Sequence, residues 1–473
     1  MQLTTTARIL LLGLGPAALV CGADQAEYQR NWPHWRGPLA NGVAPLGDPP
    51  TEWSETRNVK WKASIPGVGN STPIIWGDRV FVLTVVNTGR RPAVAASPAA
   101  ESQPAQSAPN PAPPGENAPP PGGGRRGGGG RGGGGPPTEI HQFIVLCLDR
   151  NSGKVLWQKT AREEVPHAQA HNTSTHAPAS PITDGQQLYV PFGSRGYYCY
   201  DLEGNLKWER DFGKMETFGG FGEGGSPTLH GDRLIVNWDH EGPDFIAALN
   251  IRTGETIWRT ERNERTTWVT PLVISTATKT QVVVPAPGKT RAYDLATGEL
   301  IWECGGQARG NVVPAPVFGH GYVFAMSGQG GNSVQAIRYD RTGDLTGTDA
   351  IGWSLQRNAP HVPSSLLYDD MLYFFSSNNG ILSCYEAATG KALIDAHRIE
   401  ALQQKQVYAS PAGAAGRVYL LARDGTAVVI KKGPEFAVLA TNKLDDGFDA
   451  SPVIVGKELF LRGRQNLYCI AAN

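Results

Sequence analysis

The sequence predicts an all-β fold, an eight-bladed β-propeller of four-stranded antiparallel blades whose ring is closed by an N-terminal strand. Three observations carry this expectation. A Ser/Thr-Pro step or its equivalent recurs with a period near 45 residues, short strands separated by Gly turns follow each step, and the last unit stops before its final strand. A period of that size made of short strands is the mark of a propeller blade.

The steps fall at Thr72-Pro73, Ser180-Pro181, Ser226-Pro227, Thr270-Pro271, Ala315-Pro316, Ser364-Ser365, Ser410-Pro411 and Ser451-Pro452. From the second onward they are 46, 44, 45, 49, 46 and 41 residues apart. Within each unit a short apolar strand precedes a turn such as Gly77-Asp78 or Gly416-Arg417, and an alternating strand such as Arg417-Val418-Tyr419-Leu420-Leu421 follows. A third strand, a Gly turn and a fourth strand ending in Trp complete the unit, as in CYDLEGNLKW (199–208) and AYDLATGELIW (292–302). Asx or Thr before Gly is the chemistry of a tight hairpin that needs a positive φ.

Trp157, Trp208, Trp258, Trp302 and Trp353 recur at this place and are expected to dock between neighbouring blades. A buried Trp removes roughly 150–250 Å² from water. The sixth unit has Ile394 in that slot, so weaker docking is expected there. The eighth unit ends at Asn473 without a Trp strand, and Asn58–Ala63, with Trp61, supplies the missing one. Closing the ring this way removes exposed sheet edges.

Three segments stand outside the repeats. Residues 1–23 read as a signal peptide, with Arg8, an apolar run over 9–20 too short to span a bilayer, and small residues at Cys21 and Ala23. The expected location is therefore exported, periplasmic or extracellular, with lipid anchoring at Cys21 as the rival reading. Residues 24–57 form an N-terminal extension, and 58–473 the propeller. Within it, residues 88–138 carry 12 Pro and 13 Gly in 51 positions, too little apolar surface to offset ordering, so a disordered surface insertion is expected.

Charge and cysteine usage exclude several classes. The chain has 43 Lys and Arg against 43 Asp and Glu, a balance unlike that of a nucleic-acid binder. The six Cys form no C-x-x-C, which excludes a zinc ribbon, a thioredoxin motif and a c-type haem site. Cys147, Cys199, Cys384 and Cys469 share one third-strand position that Ala248 and Ala292 fill elsewhere, so they read as small free thiols packed in the blades. Gly220–Gly225 matches G-x-G-x-x-G, but no helix pattern follows as a dinucleotide site would require. His167, His171 and His176 lie between Pro166 and Pro178, in a loop, and read as hydrogen-bonding loop residues ahead of a metal trio.

On these blade signatures the chain resembles the pyrroloquinoline-quinone-like β-propeller repeat proteins. The segment Trp32-Pro33-His34-Trp35-Arg36-Gly37-Pro38 is similar to the W-P-x-F-R-G-P opening of many exported bacterial members. The resemblance implies one of two roles. One is a non-catalytic binding or scaffold protein of the cell envelope, as in outer-membrane assembly. The other is a quinoprotein dehydrogenase of alcohols or sugars, with pyrroloquinoline quinone on Ca²⁺. Dehydrogenases of this kind often carry an adjacent Cys-Cys ring and need a carboxylate base with a Glu/Asn/Asp calcium set; the chain has no Cys-Cys pair and no alignable set. The scaffold role, a monomer, and envelope proteins or a small molecule as partners are therefore expected, with no catalytic residue assigned.

The site is placed by geometry. The first strand of each blade lines the central channel, so residues just before the steps should crowd around one mouth. These are Asn70, His171, Asn172, His176, Glu223, Trp268, Asn311, His361, Tyr408 and Asp449. Trp268 would stack a flat ligand, and Glu223, Asn311 and Asp449 would offer oxygens to a cation. Convergent polar groups in a funnel are the default binding-site hypothesis, against the alternative that they satisfy only channel backbone and water.

Overall fold

A computed structural model describes residues 25–93 and 135–472, apart from positions 308 and 329. The expected signal peptide, Cys21 and residues 94–134 of the expected insertion lie outside the described residues. Blade 1 consists of Ile74–Trp76, Arg79–Asn87, His141–Asp149 and Val155–Glu164, paired antiparallel in that order. Blades 2 to 7 begin with Ile182–Thr183, Thr228–His230, Leu272–Ser275, Val317–Gly319, Leu366–Tyr368 and Ala412–Ala414. Blade 8 holds Val453–Val455, Glu458–Arg462 and Asn466–Ile470, and Val59–Ser64 adds its fourth strand. That strand pairs Trp61 with Cys469 and Ala63 with Leu467, which closes the eight-bladed ring as the sequence predicts.

Alternation along each strand sends side chains into the two flanking seams. In Arg417–Leu421, Val418 and Leu420 pack with blade 6, while Tyr419 and Leu421 pack with blade 8. The outer Trp residues dock across the seams. Trp157, Trp208, Trp258, Trp353 and Trp61 donate their indole N–H to the carbonyls of Leu202, Ile251, Leu295, Ala387 and Arg150 in the next blade, at 2.8–3.0 Å. Each ring also lies on that blade's turn glycine; a Cβ on Gly254 (φ +70°) would sit 2.7 Å from the Trp208 ring. The Trp does not end its strand, as expected from sequence, but lies near its start: Trp157 is third in Val155–Glu164. The strand runs on because its later residues still find partners on the third strand.

The small residues opposite these rings have a reason. Cys147, Cys199 and Cys469 pair with Trp157, Trp208 and Trp61, and Ala248 and Ala336 pair with Trp258 and Trp353. All five described cysteines are free and buried. Burial pushes the Cys147 and Cys384 thiols up to about 12.

The seam between blades 4 and 5 is built differently. Gly343–Asp344, from the last connection of blade 5, adds a parallel fifth strand to blade 4 beside Trp302. Trp302 therefore bonds Gln281 Oε1 of its own blade at 2.7 Å. At the sixth unit Ile394 fills the Trp slot, is 6% exposed and packs in the seam toward blade 7.

The steps themselves form a hydrogen-bonded ring. The backbone N–H of Thr72 donates to the Ser180 hydroxyl, Ser180 to Ser226, and Ser226 to Thr270, at 2.9–3.1 Å. Ala315 donates to Ser364, Ser364 to Ser410, Ser410 to Ser451, and Ser451 back to Thr72, at 2.8–3.1 Å. Ala315 has no hydroxyl to accept from Thr270, so the hydroxyl ring is interrupted there.

The N-terminal extension closes one end of the channel. Trp32 bridges to Ile75 in blade 1, Pro33 O accepts from Thr183 N–H in blade 2, and Val43 bridges to Gly413 in blade 7. Arg36 reaches the carbonyls of Ser365 in blade 6 and Pro411 in blade 7, at 2.8 and 2.9 Å. Blades 2 and 6 face each other across an eight-membered ring, so Pro33–Arg36 crosses the axis. The contacts at Ile75, Thr183 and Gly413 lie on the inner strands beyond their steps, at the end opposite the mouth, while Arg36 reaches the step residues themselves.

Candidate binding site at the channel mouth

The residues placed at the mouth fall into three sectors. In the first, the loops before blades 1, 2 and 3 meet. Asn70 donates its side-chain N–H to Thr173 O at 3.1 Å, and His171 Nδ1 lies 2.7 Å from the Thr173 hydroxyl. Asn172 is exposed. Glu223 is held by the Ser194 N–H at 2.7 Å and by Arg195 Nη1 at 2.6 Å. Arg195 is 3% exposed, and its second amino group lies 3.3 Å from His167 Nδ1. His167 Nε2 in turn meets Met215 O at 2.9 Å.

His176 and Glu223 share one small pocket with about 20 Å³ of enclosed space, room for about one water, lined also by Gln169, Arg195, Phe192 and Thr217. Burial, then the charge of Arg195, push His176 down to about 4, so it is neutral at physiological pH. The three loop histidines do not converge: His167 faces Arg195, His171 faces Thr173, and His176 meets His141 edge-on at 5.5 Å. The glycine-rich loop forms the pocket's rim. Phe218–Gly220 is a single 3-10 turn, and the next element is the strand Thr228–His230, so no helix follows the G-x-G-x-x-G run. Trp268 donates its indole N–H to Gly222 O at 2.8 Å and lies 6.4 Å from the Phe221 ring.

In the second sector Gly328 N–H donates to Asn311 O at 2.8 Å, and a Cβ on Gly328 would also strike His361 O, so the two backbones meet there. Burial holds the His361 imidazole below its ordinary value. In the third sector Asp449 pairs with Arg423 at 2.6 Å and Arg464 at 3.3 Å, and the Arg423 guanidinium lies 4.9 Å from the Tyr408 ring.

The sequence reading took only residues before the steps and missed Arg195, Arg423 and Arg464. All three sit in turns between the second and third strands of blades 2, 7 and 8, which also open toward the mouth. Strand direction was the signal that would have found them. Their pairing decides the local chemistry, because both acidic residues placed at the mouth are engaged by arginines. The donor set does not suit the calcium that quinoprotein chemistry would require. Glu223 and Asp449 precede different blades, and no group of three or more His, Cys, Asp or Glu among the described residues is gathered as metal ligands.

Fold and mouth together define a β-propeller crossed at one end by its N-terminal extension and carrying paired polar side chains at the other. The family model described as outer membrane protein assembly factor BamB matches residues 141–393, more than half of the 473. The chain belongs to this pyrroloquinoline-quinone-like β-propeller family. Among solved structures, BamB from Moraxella catarrhalis aligns with a TM-score of 0.50 and 14% identity, over 69% of this chain and 91% of that one. Quinohemoprotein alcohol dehydrogenase from Comamonas testosteroni aligns with a TM-score of 0.59 and 10% identity, over 94% of this chain and 81% of that one. At these identities the likeness is one of fold. The comparison with curated proteins found no match.

Proposed function

We propose that this protein is a non-catalytic binding propeller of the cell envelope, exported by residues 1–23, that takes its ligand or protein partner at the channel mouth. The observation that supports this reading is the pairing of Glu223 with Arg195 and of Asp449 with Arg423 and Arg464. With their oxygens taken up by guanidinium groups and, for Glu223, by the Ser194 N–H, neither carboxylate is left free to meet a substrate hydroxyl. The matching family is described by an assembly factor, which agrees with a scaffold role. No helix among the described residues is long and apolar enough to cross a membrane, which is compatible with export.

The test is direct. Purified protein incubated with pyrroloquinoline quinone and Ca²⁺ should reduce no dye with alcohols or sugars as donors. Turnover that disappears in Glu223→Gln or Asp449→Asn would overturn the proposal in favour of the dehydrogenase. N-terminal sequencing of the mature protein should begin at Asp24; a retained leader would overturn the export assignment.

A further inference from the structure

The seam between blades 7 and 8 is filled by a segment that belongs to neither blade. In the fourth strand of blade 7, Ala440 lies opposite Val429, the place that Trp157, Trp208, Trp353 and Trp61 take in blades 1, 2, 5 and 8. Those four rings each lie 5.7–6.1 Å from a second-strand aromatic ring of their own blade: Phe81, Tyr189, Phe324 or Phe460. Blade 7 keeps its aromatic residue, Tyr419. The ring stacked on it, at 6.4 Å and 4% exposed, is Trp53 of the N-terminal extension.

Residues 47–53 belong to no helix, strand or bridge, so the seam's side chains hold them. The Asn442 amide accepts from Trp53 N–H at 2.8 Å and donates to Thr51 O at 2.9 Å, so one planar group serves two backbone positions. The Tyr419 hydroxyl donates to Pro49 O at 3.1 Å, Asp48 N–H donates to Gly456 O at 2.7 Å, and the Asp48 carboxylate pairs with Arg417. Backbone groups met by side chains, two prolines and one ring anchored in an aromatic slot are the elements of peptide recognition. The occupant is imperfect. The indoles of Trp157, Trp208, Trp353 and Trp61 donate to the next blade, whereas Trp53 Nε1 is buried and bonds no described residue. A buried donor without an acceptor weakens its own docking.

We propose that this seam is a peptide-binding groove for a Pro-Pro-x-x-Trp segment of a partner protein, and that residues 48–55 occupy it in cis as a competing ligand. The groove is separate from the channel mouth and does not depend on what binds there. Recognition rests on the indole and the backbone, because the Glu52 side chain between them is half exposed. The stranded indole N–H makes the internal occupant replaceable.

The test uses the full chain carrying Trp53→Ala and a fluorescein-labelled synthetic peptide spanning residues 48–55. Fluorescence anisotropy should show saturable binding to this variant, at least tenfold tighter than to the parent, whose groove is filled. Adding Asn442→Ala should weaken that binding roughly tenfold, and unlabelled peptide carrying Trp53→Ala should fail to compete. No binding to the variant, equal binding to the parent, or binding indifferent to Asn442→Ala would overturn the proposal. Hydrogen exchange on the parent decides the matter if Trp53→Ala does not fold. Residues 48–55 should exchange faster than Val59–Ser64, and faster again with excess unlabelled peptide. Exchange indifferent to the peptide would make the segment a fixed part of the core and overturn the proposal.

Discussion

The hydroxyl at each step explains the residue type found there. Proline has no N–H, so the last backbone donor before the inner strand belongs to the preceding residue, and the next blade's Ser or Thr accepts from it. Both groups are buried, so loss of the acceptor leaves an N–H stranded. Ser410→Ala should cost about 1–2 kcal/mol, because Ser364 then has no hydroxyl to donate to. Chemical denaturation should show a lower midpoint with an unchanged slope, and an unchanged midpoint would make the ring incidental. The docking glycines are tighter still. Gly254 has φ +70°, and its absent Cβ would lie 2.7 Å from Trp208. Gly254→Ala should therefore cost more than the roughly 1 kcal/mol of backbone strain alone, through displacement of the indole from the Ile251 carbonyl. Loss of the blue-shifted emission expected for a buried indole would report it.

Two elements bring distant parts of the chain together. Deleting residues 58–64 removes the fourth strand of blade 8 and exposes the Asn466–Ile470 edge, so cooperative unfolding should shift sharply downward or the protein should aggregate. Unchanged unfolding would show that closure adds nothing. The plug is held by Arg36, 1% exposed, whose partners are the carbonyls of Ser365, Pro411 and Asn41. Arg36→Ala should leave those carbonyls unmet and speed hydrogen exchange over residues 37–47, with the outer strands unaffected. The repeats were legible in the sequence because each blade is local: its hairpins, its Trp and its step lie within one period. The plug and the fifth strand at Gly343–Asp344 were not, because their partners lie elsewhere in the chain and no periodicity announces them. The same limit applies to the site. Asn70, His176 and Glu223 follow from their place before the steps, whereas Arg195 became visible only once the direction of the second strand was known.

At the scale of the whole molecule, the N-terminal extension crosses one end of the channel, and histidines held neutral stand at both ends. His34, 6% exposed at the plug, is pushed down to about 3 by burial and then by Arg36, and His176 at the mouth to about 4. Both lie below the ordinary histidine value of about 6.5, so the unfolded chain binds protons that the folded chain refuses. Stability must then fall as pH drops from about 6.5 toward 4, the direction set by the excess protons on the unfolded state. Asp244 works against this trend. Burial, then the charge of Asp239, raise it to about 6, so between about 4 and 6 the folded chain holds a proton that the unfolded chain has released. His230 and His361, also lowered by burial, act in the same direction, so the depressed histidines outweigh the one raised carboxyl, and the melting temperature should decline between pH 6.5 and 4. His176→Asn should make that decline shallower, and Asp244→Asn should make it steeper by removing the opposing proton. A melting temperature flat across this range, with both variants parallel to the parent, would mean that His34 and His176 are charged in the folded protein.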